Sequence, residues 1–138
     1  MRDTKARSFV AIIVIIAVSS LILRVAVEQI IKINISQNES YASSTLKLIS
    51  TALENYAQDH LGAFPQDISA LTQTRPAYLD KDYIVSSPVK GYNYSCARLE
   101  ASGYSCIAGP TKCGLTGNMI YTITTGGLLI SEKCGEKE

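Results

Sequence analysis

The sequence has no tryptophan, a single histidine and no Cys-x-x-Cys pair. His60 has no cysteine or second histidine near it in the chain, so the sequence assembles neither a zinc site nor a Ser-His pair. The 13 Lys and Arg residues face 12 Asp and Glu, a net charge of +1. With no basic excess, the electrostatic footprint of a nucleic-acid binder is missing. No Gly-rich phosphate loop and no pair of catalytic carboxylates can be assembled. Gly114-Leu115-Thr116-Gly117 reads as a turn, and Asp80-x-Asp82 reads as solvated loop carboxylates. A calcium ion would want six to eight oxygens, far more than that pair supplies. These absences leave no cofactor, no metal and no enzyme reading. Internal repeats and low-complexity runs are missing too.

What is present begins at the N-terminus. Residues 1–8 form a basic leader, with Arg2, Lys5 and Arg7 against Asp3. Phe9 to Leu23 (FVAIIVIIAVSSLIL) carries no charge. At about 1.5 Å per residue that run spans roughly 22 Å, short of a ~30 Å hydrocarbon core. Apolar character continues past Arg24 through Val25, Ala26, Val27, Ile30 and Ile31, which predicts a transmembrane helix over 9–31. Arg24 can snorkel toward an interface, and Glu28, one turn on, is a candidate partner. Basic residues ahead of the span place the N-terminus in the cytoplasm and the C-terminal domain outside. A cleaved signal peptide competes with this reading, but it requires a small-x-small site, and Arg24-Val25-Ala26 is a poor one.

Beyond the span, an amphipathic helix is predicted over 32–60 and a globular β-rich domain over 61–138. About 80 to 100 residues outside the membrane suffice for one small domain. Lys32 to Ser40 is polar and holds Asn34 and Asn38, poor helix formers, so a kink or loosened turn is expected there. Leu46, Ile49, Leu53, Tyr56 and His60 recur at spacings of three and four and form one apolar stripe, flanked by Ala42, Ala52 and Ala57. His60 reads as a C-terminal cap or a half-buried packing residue. Gly62 and Pro65 end the helix. Asp67 caps a short helical turn, Ile68 to Gln73. Tyr78, Leu79, Tyr83 and Ile84 pin the loop that follows. Strands are expected at 91–96, 103–108, 118–124 and 128–131, with Glu100 and Ser102 in the first hairpin loop and Gly126-Gly127 turning the second.

The four cysteines, Cys96, Cys106, Cys113 and Cys134, all lie in the last third. An even count in a small exported domain reads as two disulfides, with free or transient thiols as the competing reading. Three pairings are open. A hairpin centred near Ala101 sets Cys96 opposite Cys106, while Cys113 and Cys134 flank the second hairpin, and these two bridges are favoured.

The whole order resembles the type IV pilin and type II secretion pseudopilin family. Leu46 to Tyr56 looks like the family's helix before the loop. Gly62-Ala63-Phe64-Pro65, Leu71 and Tyr78-Leu79 look like its lead-in to the globular domain. Gly91 to Tyr94, Gly103 to Cys106 and Thr116 to Gly127 look like its sheet. The resemblance implies an α+β fold, a long helix packed on a small four-stranded antiparallel sheet. It implies an inner-membrane, single-pass precursor whose head is periplasmic or extracellular. It implies a prepilin peptidase that cuts between Ser8 and Phe9, N-methylation of Phe9, and filament assembly with other pilin-like subunits through the N-terminal helix. Two positions depart from the family pattern. Ser8 stands where the family has Gly, and Ile13 stands where its major subunits have Glu, which implies a minor or diverged subunit. The alternative is a single-pass anchored binding or adhesion domain that never polymerises.

Overall fold

The computed structural model describes the backbone of residues 3–135 and the side chains of 7–135. Met1 and Arg2, and the side chain of Lys5, therefore lie outside the described residues, as do 136–138. The chain divides into two compact units, Met1–Asn34 and Ile35–Glu138. Helix α1, Asp3–Asp59, supplies all the described structure of the first and begins the second.

Among the described residues of the first unit, the apolar side chains from Phe9 to Val25 stand exposed. Phe9, Val10, Ile12 to Ile16, Leu21 to Leu23 and Val25 are all at least half exposed, Ile13 at 50% and Leu21 at 67%. Such a surface is costly in water and inexpensive in hydrocarbon. The segment is long and apolar enough to cross a membrane. Residues 34–38 are helical, contrary to the expected loosening. Asn has only modestly poor helix propensity, and the Asn38 side chain donates to a backbone carbonyl, which offsets it.

In the second unit the rest of α1 packs on a four-stranded antiparallel sheet of order β1-β2-β3-β4. The strands are Tyr92–Glu100, Gly103–Pro110, Met119–Thr124 and Leu128–Lys133. Strand β1 runs further than the sequence suggests. A bulge between Cys96 and Arg98 lets pairing resume, and Glu100 lies in the strand opposite Gly103. Strand β4 likewise continues to Lys133. The apolar stripe lies where spacing put it, since Leu46, Ile49 and Leu53 are fully buried and Tyr56 is half-buried. Ala42, Ala52 and Ala57 are buried beside them and allow close approach. The sheet answers with Tyr92, Tyr94, Tyr104, Cys106, Ala108 and Ile123.

His60 departs from the stripe. Helix α1 ends at Asp59, and His60 is exposed. Its Nδ1 lies 2.8 Å from the Tyr56 carbonyl oxygen, so Nδ1–H donates to a helix-end acceptor. Its ring stacks on Tyr56 at 3.8 Å. The capping reading holds and the half-buried one does not. The Gly62 amide closes the helix on the Ala57 carbonyl at 2.7 Å, with Leu61 and Gly62 both at positive φ.

The connection to the sheet carries helix α2, Ser69–Gln73, one residue shorter than expected. Asp67 accepts from the Ser69 amide at 3.0 Å, an Asx turn ahead of the helix. Ile68, Leu71, Leu79 and Tyr83 anchor this segment in the core.

Candidate functional site

Two features of this protein can carry function: the apolar surface of the first unit and the head that the second unit holds rigid. In the first unit Arg7, Ser8 and Phe9 sit in α1 with exposed side chains, so the expected cleavage site is accessible to solvent. Ile13 is half exposed on the same helix. A carboxylate there would bring an uncompensated charge into a span this apolar, and Ile brings none. Arg24 and Glu28 are both exposed, and no ion pair joins them among the described residues.

The head is clasped by polar groups at both ends of the helix–sheet contact. Near the start of the second unit, Asn38 Nδ2 donates to the Thr116 carbonyl at 3.0 Å. Beside it, Glu39 Oε1 accepts from the Asn118 amide at 2.7 Å. Further along, Glu54 Oε1 accepts from the Tyr104 hydroxyl at 2.9 Å and from the Gly126 amide at 2.7 Å. Ser50 Oγ lies 2.7 Å from the same hydroxyl. These bonds fasten the loop before β3 and the β3–β4 turn to the helix. Burial pushes the Tyr104 hydroxyl up to about 12; Ser50 opposes the shift and Glu54 adds to it. Burial also holds Tyr92 well above its usual range, helped by Glu39.

Sequence periodicity did not single out Asn38, Glu39 or Glu54. The available signal was acidic residues next to an apolar stripe on an otherwise weakly charged helix. Tyr92 is placed by a close approach. Its hydroxyl donates to the Met119 carbonyl at 2.9 Å, and its ring passes over Gly117. A Cβ on Gly117 would collide with that hydroxyl oxygen and the ring, so only glycine fits.

The cysteines form two bridges, Cys96–Cys106 and Cys113–Cys134, and no described cysteine is free. The first crosses the β1–β2 hairpin at paired positions. The second ties the residue after β4 to the loop that follows β2, which the Cys134 amide also reaches through the Asn118 carbonyl at 2.8 Å. Disulfides persist in oxidising compartments, which suits an extracytoplasmic domain.

Asp80 accepts from the Tyr83 hydroxyl at 3.1 Å, and Asp82 accepts from the Ile84 and Val85 amides. Both carboxylates are accounted for by local turns. Among the described residues no three His, Cys, Asp or Glu side chains converge on a metal site. No protein-family model, no curated protein and no solved structure matches the chain.

Proposed function

We propose that this chain is a pilin-like structural subunit, a pseudopilin or minor pilin that waits in the membrane and then enters a filament through its N-terminal helix. The observation that carries the reading is the change of character along α1. The same 57-residue helix is apolar and uncovered in the first unit, yet amphipathic and covered by a stapled antiparallel meander in the second. An anchor needs only about 20 apolar residues. One helix thus supplies both a lipid-compatible surface and the packed backbone of the second unit. The same apolar surface can exchange lipid for the helices of neighbouring subunits.

The partners of this reading are a prepilin peptidase acting between Ser8 and Phe9, membrane lipid, and other pilin-like subunits. Phe9 would carry the new amine and be the site of methylation. Ile13 offers that amine no carboxylate, which favours a place beside different subunits over a polymer of this chain alone. The test follows the chain after co-expression with a prepilin peptidase and the other subunits of such a machine. Sedimentation of the processed chain with a fibre supports the reading. A chain that stays dispersed in the membrane supports a single-pass anchored domain instead.

A further inference from the structure

The first unit carries charges at a regular interval that the anchor alone does not require. Ser20, Arg24, Glu28 and Lys32 follow one another four residues apart. On a helix these positions lie on neighbouring turns of one face, each about 6 Å further along the axis. All four are exposed, and no ion pair forms among Arg24, Glu28 and Lys32. Arg24 follows immediately on the 15 uncharged residues Phe9 to Leu23, in a segment where an unpaired charge is costly. The signs alternate: plus, minus, plus.

We infer that this face is a contact between two copies of the chain lying parallel in the membrane and slipped by one helical turn. Copies inserted in one membrane share their orientation, so the helices meet in parallel. With no slip, Arg24 faces Arg24 and Glu28 faces Glu28. A slip of four residues sets Arg24 of one copy level with Glu28 of the other, and Glu28 of the first level with Lys32 of the second. Both pairs are then satisfied by the same displacement. The complementarity is therefore built into one sequence and needs no second protein. The inference rests on the segment lying in a membrane and not on leader processing or filament growth.

The experiment uses the full chain in native membranes, expressed without a prepilin peptidase. Val27→Cys and Ile31→Cys, placed in separate copies, report the slip. These positions flank the charged face and come level under a four-residue displacement. The native cysteines are all disulfide-bonded and leave the introduced thiols alone to react. A 27-to-31 crosslink forming faster than 27-to-27 or 31-to-31 supports the register. Equal rates, or no crosslinking, overturn it.

Charge reversal gives the second arm. Arg24→Glu alone and Glu28→Arg alone should each slow crosslinking, by about threefold to tenfold for interhelical polar contacts of this kind. Mixing the Arg24→Glu copy with the Glu28→Arg copy should bring the rate back to within about twofold of the unaltered chain, because the introduced acid at 24 meets the introduced base at 28. If the charges act only within their own helix or only by snorkelling, mixing restores nothing, and that result overturns the proposal. Retention or loss of residues 1–8 is read separately by mass, so failure here and failure of the pilin reading remain distinguishable.

Discussion

Glu54 and Tyr104 meet across the helix–sheet contact, with the Tyr104 hydroxyl donating to Glu54 Oε1 at 2.9 Å while the same oxygen accepts from the Gly126 amide. One carboxylate oxygen thus holds a strand residue and the β3–β4 turn to the helix. Hydrogen bonds to charged groups contribute about 1.5–3 kcal/mol. Glu54→Ala should therefore lower stability by about 2 kcal/mol, and Glu54→Gln, which keeps an acceptor, by less. Urea unfolding of the full chain in detergent, followed by tyrosine fluorescence, checks the order.

The tyrosines make the head sensitive to alkali. Burial and the Glu54 contact hold Tyr104 up to about 12, and burial with the Asp80 contact holds Tyr83 up to about 12. Unfolded tyrosine titrates near 10. Each group's folded-state value is raised, so its contribution to stability is complete below about pH 10 and is lost as pH rises through about 12. Unfolding midpoints should fall steeply over that window, and Tyr104→Phe should flatten the slope. A midpoint independent of pH up to 12 would contradict the burial of these hydroxyls.

Two backbone positions respond differently to substitution. Gly117→Ala drives a methyl into the Tyr92 ring, an overpacking that should cost about 2 kcal/mol. Leu61 holds a φ of 58° with its side chain wholly exposed, so it bears left-handed strain without packing in return. Leu61→Gly should be neutral or raise stability by up to about 0.5 kcal/mol. Thermal melts should show Gly117→Ala lowered and Leu61→Gly unchanged or raised.

The disulfides staple a sheet of only four strands. Alkylation of the unreduced exported protein should label none of the four cysteines. Breaking either bridge should cost about 2–4 kcal/mol. The Cys113–Cys134 loop, with a separation of 21 against 10, should count for more by about 0.7 kcal/mol on chain entropy. Paired Cys→Ser variants, compared by urea midpoint, test the ranking.

Much of this architecture was legible in the sequence because its signals are periodic or punctuated. The stripe of Leu46, Ile49 and Leu53 marked the covered face of the helix, Gly62 marked its end, and the spacing of Cys96 and Cys106 around Ala101 marked a hairpin. What stayed hidden depends on tertiary contact. Residues 34–38 were expected to loosen by propensity, but Asn38 is fixed by the Thr116 carbonyl, 78 residues away. The Glu54 clasp joins positions 50 and 72 residues apart, which no local pattern encodes. The bulge after Cys96 hid the true length of β1, because an extra residue breaks the alternation by which strands are recognised. His60 continued the stripe by spacing alone, yet the chain had already turned out of the helix.

The central claim is tested most directly by the intact mass of the chain recovered after co-expression with a prepilin peptidase. The account predicts a mature protein beginning at Phe9, lacking residues 1–8, with the unreduced mass showing both disulfides. It also predicts that Ser8→Gly is processed at least as fully. Retention of residues 1–8 in the natural chain and in the Ser8→Gly variant alike would contradict the pilin reading and leave a plain membrane-anchored domain.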